Sequence, residues 1–280
     1  PPEIVAGLDD SRAPLSMEGQ AREMTVLFCD IMGFTTMSEQ MEPRELARML
    51  NAYFTAMTEV IYRHGGTIDK YIGDAIMAFW GAPVPQADHA ARGLAAALEM
   101  QRELVGLRER FARQGWPAIQ VGVGLNTGTM NVGNMGSRYR MAYTVVGDAV
   151  NLAARLENLT RGYPASILLS ERTRNALPAG TFLELDRVRV KGKGTATRIY
   201  EPLPEEGGGA DRRAWLQRHE AALAAYYRRD WQAAAEGFEG LAGVDERRAA
   251  YYREMRDRCR ALAAAPPAED WDGSIQAPTY

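Results

Sequence analysis

The sequence predicts an α+β fold, helices packed on a sheet, with a short helical extension at the C-terminal end. Three observations carry this. A short apolar, β-rich run, MTVLFCD (24–30), precedes a long segment with helical spacing. A hairpin signal at Gly73-Asp74 interrupts the alternation of strand and helix, which argues against a doubly wound parallel sheet. A Gly-rich stretch, EEGGGA (205–210), separates that pattern from Ala-, Arg- and Glu-rich helical sequence.

The elements follow in order. Residues 1–22 are polar and irregular, with Pro1, Pro2 and Pro14, and read as a linker with a short helix at best. MTVLFCD is then a buried strand. Pro43 opens a helix carrying Leu46, Met49, Leu50, Tyr53, Phe54, Met57, Val60 and Ile61 at helical spacing, and Gly65-Gly66 ends it. TIDKYIGDAIMAFWG (67–81) reads as two strands folded about Gly73-Asp74, and 86–113 as a second amphipathic helix. IQVGVGLNTG (119–128) and TMNVG (129–133) are two further strands, and VGDAVNLAARLENLT (146–160) is helical. ILLS (167–170), a short helix near 171–177, FLELDRVRV (182–190) and RIYEPL (198–203) complete a first domain over 23–204. After the 205–210 linker, two helices are expected within 211–265, with 221–241 resembling one tetratricopeptide-type hairpin. One such repeat cannot bury its own apolar face, so it should pack on something else. The tail 266–280 contains Pro and reads as disordered.

Composition sets outer bounds. The chain has 280 residues, 46% of them hydrophobic, enough for a sizeable core. Lys and Arg number 33 against 36 Asp and Glu, a net charge of −3. That balance argues against binding nucleic-acid polymers, which takes a clustered positive field. The two cysteines, Cys29 and Cys259, form no CxxC metal pattern and no disulfide framework, which suits a reducing cytosol. No run of 18 apolar residues exists to span a membrane, and no signal peptide is visible. The first residue is Pro1, so the chain reads as a piece of something longer.

Five features bear on chemistry. Asp30 ends a buried strand and Asp74 sits in the turn KYIGDAIM. Two carboxylates on neighbouring strands can converge on a divalent cation, and Mg²⁺ takes one or two carboxylates plus substrate phosphates. Either aspartate alone is as readily a turn or cap residue. Asn151 and Arg155 lie four apart on a helix and so share a face. There an amide and a guanidinium suit a sugar and a phosphate, although Arg on an amphipathic helix is more often solvated. Lys70 and Thr144 can each hydrogen-bond a base edge. The plainer reading makes Lys70 an edge-strand charge and Thr144 an ordinary strand residue. VKGKG (190–194) places two lysines where they can approach a polyphosphate, or be merely solvated. No GxxxxGK[ST] loop, HExxH or GxSxG is present, and GVGLNTG (122–128) does not match the dinucleotide fingerprint.

Together these stretches resemble a known family. TVLFCDIMGFT, GGTIDKYIGDAIMAFWG, YTVVGDAVNLAARLE and VKGKG are similar, in that order over 24–203, to the signatures of class III nucleotidyl cyclase catalytic domains. The resemblance implies a ferredoxin-like palm, a βαββαβ core with extra elements. It implies that Asp30, Asp74 and the backbone carbonyl of Ile31 bind two Mg²⁺ (or Mn²⁺) ions, and that Lys70 selects adenine. Asn151 and Arg155 would orient the ribose and stabilise the transition state, and Lys191, with Lys193 as substitute, would meet the terminal phosphates. The partner of Lys70 is often Asp in this family; Thr144 looks like the bacterial subclass with Thr there, whereas guanylyl cyclases resemble a Glu/Cys pair.

The implied reaction is attack of the ATP ribose 3′-oxygen on the α-phosphorus, giving cyclic AMP and pyrophosphate. The resemblance also implies a homodimer with shared sites, one subunit giving the aspartates and the other Lys70, Thr144, Asn151 and Arg155. PPEIVAGL (1–8) resembles the segment that follows a membrane-linked sensor in bacterial cyclases, so the chain is expected to be the cytosolic part of a larger, membrane-anchored protein. The alternatives are a non-catalytic nucleotide sensor, a guanylate cyclase, and a diguanylate cyclase, whose GGDEF-like turn is absent.

Overall fold

Hydrogen-bonded register places β1 (Gln20–Ile31) at the centre of the first sheet. The structure is a computed structural model, and it describes residues 19–137, 139–178, 180–189, 196–204 and 209–277. The chain divides into two compact units. One comprises Pro1–Arg161, Ala165–Ala179 and Thr279–Tyr280; the other comprises Gly162–Pro164 and Gly180–Pro278.

In the first unit, β1 is followed by α1 (Phe34–Gln40), α2 (Pro43–Arg63), the hairpin β2 (Thr67–Ile72) and β3 (Ala75–Trp80), α3 (His89–Arg113) and β4 (Val121–Ser137). The sheet order β2-β3-β1-β4, with every neighbour antiparallel, is the expected ferredoxin-like βαββαβ palm. Beyond the palm come β5 (Arg140–Val146), antiparallel to β4, α4 (Asp148–Leu159), β6 (Ile167–Ser170), parallel to β4, and α5 (Glu171–Ala176).

The local causes are readable. The Glu42 side chain accepts the Arg44 and Glu45 N–H groups ahead of α2, and Pro43 occupies the first turn, where its missing N–H costs nothing. Met49, Tyr53, Ala56, Met57, Val60 and Ile61 form its buried stripe. Gly65, at φ +69°, turns the chain out of the helix, and the Gly66 N–H returns to the Ile61 carbonyl. β1 is buried on both faces. Met24 and Val26 share one core cluster with Met130, Val132, Ala149 and Ala153. On the other face Thr25 bonds His89 of α3 and Cys29 bonds Tyr53 of α2. Asp30 has the parity of the first face and so points toward α4.

The second unit holds β7 (Phe182–Arg189), antiparallel to β8 (Thr197–Pro202), and β9 (Ile275–Gln276), parallel to β7. Its helices are α6 (Gly209–Tyr227), α7 (Trp231–Ala242) and α8 (Ala249–Ala264). Gly237 of α7 leaves no room for a Cβ, which would stand 2.8 Å from that of Ala222, so α6 and α7 meet at backbone distance.

Several expectations shift. β1 begins at Gln20, inside the expected 1–22 linker. Residues 121–137 form one long strand where two, 119–128 and 129–133, are expected, because Gly128 at the division remains in the ladder opposite Met24. Three helices, not two, follow 208, joined by a 3-10 turn at Glu246–Arg248. The tail read as disordered from Pro266 is ordered through Ala277: Trp271 packs edge-on to Tyr226 at 5.5 Å, and β9 pairs with β7. The division into units falls near 180 rather than at 205–210. β7 and β8 are tied to the helices by Glu201 to Arg248 at 2.6 Å, His219 to the Glu184 carbonyl at 2.7 Å, and Asp186 to Arg258 at 2.7 Å. Residues 205–208 of the linker lie outside the described residues. No helix among the described residues is long and apolar enough to cross a membrane.

Candidate active site

Asp30 and Asp74 meet at one backbone group. Asp30 is the penultimate residue of β1, and Asp74 follows Gly73, whose φ of +64° makes the β2–β3 turn. The Ile31 N–H donates to Asp30 Oδ1 and to Asp74 Oδ2, each at 3.1 Å. Partial burial, then the adjacent Asp30 carboxylate, pushes the Asp74 carboxyl up to about 7. Two carboxylates held so close repel each other, with the single Arg161 guanidinium 2.8 Å from Asp30 as counter-charge, and the donor set is all oxygen. That fits Mg²⁺ or Mn²⁺ bound by two carboxylates and completed by substrate phosphates. Among the described residues no group of three or more His, Cys, Asp or Glu side chains is arranged to hold a metal by itself.

α4 supplies the surroundings of Asp30. Arg161, just past its end, donates to Asp30 Oδ2 at 2.8 Å and to Glu157 Oε1 at 3.1 Å. Burial pushes Glu157 up to about 7; Arg161 opposes the shift, and Asp30 and Asp74 add to it. This closeness depends on two glycines in β4. A Cβ on Gly122 would lie 2.1 Å from Thr160 Oγ1, and one on Gly124 would lie 2.2 Å from the Glu157 nitrogen. Gly122 is also the register partner of Asp30, so the helix end is pressed onto the strand pair that carries the carboxylate.

A second cluster forms where β2 faces β5. Lys70 Nζ donates to Thr144 Oγ1 at 3.2 Å. Asp69, whose side chain has 0% exposure, accepts the Thr144 hydroxyl at 2.6 Å and the Val145 N–H at 3.2 Å through Oδ2. Its Oδ1 stands 3.1 Å from Lys70 Nζ. Asn151 and Arg155 form the third group, one turn apart on α4. Asn151 is exposed and Arg155 half-buried, and among the described residues the Arg155 guanidinium has no ion-pair or hydrogen-bond partner.

The structure thus unites Asp30, Ile31 and Asp74, and unites Lys70 with Thr144. Among the described residues no side-chain hydrogen bond or ion pair joins these groups to each other or to Asn151 and Arg155. The Ile31 N–H, which was not anticipated as a link, lies between the two carboxylates. Lys191 and Lys193 lie outside the described residues. Asp69, Glu157 and Arg161 were not anticipated. The Glu157/Arg161 spacing of four was the available signal for one pair, and the position of Asp69 beside Lys70 for the other.

Comparisons with known proteins identify the family and the fold. Residues 17–200 match the family model described as the adenylate and guanylate cyclase catalytic domain. An adenylate cyclase of Anabaena cylindrica is 45% identical over 188 residues, covering 64% of this chain and 36% of the relative. The chain therefore spans about a third of that relative's length. The crystal structure of the adenylyl cyclase CyaB from P. aeruginosa is similar at TM-score 0.63 and 34% identity, over 68% of this chain and all of that one. The crystal structure of the guanylyl cyclase Cya2 is similar at TM-score 0.61 and 35% identity, over 69% of this chain and 98% of the other. The two structural likenesses are nearly equal for an adenylyl and a guanylyl cyclase, while the sequence relative is an adenylate cyclase.

Proposed function

The chain belongs to the adenylate and guanylate cyclase catalytic-domain family, and on that premise we propose that it converts ATP to 3′,5′-cyclic AMP and pyrophosphate. One observation carries the reading: Asp30 and Asp74 converge on the Ile31 N–H and form an all-oxygen anionic pair. Asp30 and Asp74 would hold two Mg²⁺ or Mn²⁺ ions. When bound, the metal supplies neutralisation of the triphosphate and a more acidic ribose 3′-hydroxyl.

The remaining roles belong to the chain's own groups. Arg155, with its guanidinium uncommitted, would offer donors to the α-phosphate as charge builds there. Asn151, one turn away, would hold the ribose. Lys70 and Thr144 would take the adenine edge. The 3′-hydroxyl would give its proton to solvent while its oxygen forms the new bond to the α-phosphorus; the bond from the α-phosphorus to the α,β-bridging oxygen breaks, and that oxygen leaves on pyrophosphate. Since among the described residues no side-chain hydrogen bond or ion pair joins the metal pair to the other groups, we place the complete site across two copies, each giving one set.

The test is incubation of the purified chain with ATP or GTP and Mn²⁺, with chromatographic identification of the products. Cyclic AMP from ATP, lost in Asp30→Ala, is expected. Cyclic GMP in preference would make the chain a guanylate cyclase, and no product from either would end the catalytic reading.

A further inference from the structure

Asp69 is buried, charged and adjacent to the base-contacting pair, yet the reaction gives it no task. Its position depends on a local irregularity. Adjacent residues of a regular strand point to opposite faces. The register of β2 on β3 slips between Ile68 and Lys70, leaving Asp69 as the extra residue of a bulge. The bulge lets Asp69 and Lys70, neighbours in sequence, both reach Thr144 Oγ1, at 2.6 and 3.2 Å.

Proton counting then fixes the polarity of the hydroxyl. An ionised carboxylate only accepts, an ammonium only donates, and a threonine hydroxyl has one proton and two lone pairs. Asp69 Oδ2 takes the Thr144 proton, and the Val145 N–H on the same oxygen keeps that oxygen an acceptor. Thr144 Oγ1 is left with lone pairs only, one toward Lys70. The pair therefore presents one acceptor, Thr144, beside one donor, Lys70. Adenine offers an amino donor at position 6, and guanine an oxygen acceptor there. In the seat where adenine pairs, a 6-oxopurine sets acceptor against acceptor at Thr144 and donor against donor at Lys70.

We propose that Asp69 is a positioning residue that fixes the proton of Thr144 and thereby makes the base site accept 6-aminopurine and refuse 6-oxopurine nucleotides. This rests on the reading above that Lys70 and Thr144 contact the base. Thr144 so oriented offers the base what a carboxylate would, without a second charge.

The test compares kcat/KM for ATP, GTP and ITP in the wild-type chain, Asp69→Ala, Asp69→Asn, Thr144→Val and the Asp69→Ala/Thr144→Val double variant. ITP has the 6-oxo group without the 2-amino group, so the wild type should refuse it as it refuses GTP. Asp69→Ala frees the hydroxyl to donate, and the ATP/ITP ratio should fall at least about tenfold, the effect of one relieved buried mismatch. The ratio is independent of the fraction of enzyme that is folded. Asp69→Asn should lower the ratio less than Asp69→Ala, because the Val145 N–H selects the amide oxygen for the shared position and keeps the Thr144 polarity, while the amide NH₂ group replaces the carboxylate oxygen 3.1 Å from Lys70 Nζ. In the Thr144→Val background, Asp69→Ala should leave the ratio unchanged.

Equal losses for ATP and ITP in Asp69→Ala would overturn the proposal. So would a wild type that uses ITP as well as ATP, an outcome that holds even if Asp69→Ala does not fold. Absence of cyclic AMP from the wild type would instead reject the underlying reading, and the proposal with it, before any variant is made.

Discussion

Asp74, proposed above as a metal ligand, works against its own fold. Its carboxylate shares the Ile31 N–H with Asp30, and burial with that neighbouring charge raises its pKa to about 7. Asp74→Asn keeps the hydrogen bond and removes the repulsion, so the metal-free protein should gain stability, by about 1 kcal/mol or less after solvent screening. The same change should remove the rise in Tm that Mn²⁺ gives the wild type and reduce cyclic AMP formation to background. Thermal melts with EDTA and with Mn²⁺ check the first two effects, and product assay the third. Asp30, Asp74, Lys70 and Thr144 were legible in the sequence because each lies in a short motif whose turn or strand fixes its place. Asp69, Glu157 and Arg161 were not. Their roles arise from a bulge and from a helix end pressed onto a strand, neither of which a linear pattern displays.

At the scale of elements, α4 organises the site and β4 permits it. Gly124→Ala would put a Cβ 2.2 Å from the Glu157 nitrogen and 2.3 Å from the Ala153 carbonyl, both backbone atoms that cannot move aside. It should cost about 3 kcal/mol and separate Arg161 from Asp30, as urea unfolding would record. Gly128, at which the sequence pattern divides β4 in two, stays in the ladder opposite Met24, and a Cβ on it would lie 3.0 Å from that of Ala149, so it too is contact surface for α4. In the second unit, the tie between α6 and β7 makes a pH prediction. His219 Nε2–H donates to the Glu184 carbonyl and Nδ1 accepts from Tyr252, so the buried ring is neutral, with its pKa lowered to about 4 by burial. The unfolded chain binds this proton below about 6.5 and the folded chain only below about 4, so stability falls as pH drops through that window. From pH 7 to 5 the loss should be about 2 kcal/mol. His219→Gln should reduce the pH dependence by that amount, measured as the difference in urea midpoints.

At the scale of the whole molecule, the palm was legible because its order of strand, helix, hairpin, helix and strand is written in periodicity and turns. The grouping of β7 and β8 with the C-terminal helices was not, because it depends on long-range pairs such as Glu201 with Arg248 and Asp186 with Arg258. In the dimer proposed above, two copies share each active site, one bringing Asp30 and Asp74, the other Lys70, Thr144, Asn151 and Arg155. Asp30→Ala and Arg155→Ala should each be inactive alone. A mixed dimer has one site with both defects and one with neither. With random pairing of equal amounts, half the dimers are mixed, so cyclic AMP formation should return to about a quarter of the wild-type rate. The most direct measurement is that rate in an equimolar, co-refolded or co-expressed mixture of the two variants. Recovery near a quarter is the predicted result; a mixture as inactive as its components would contradict the shared site.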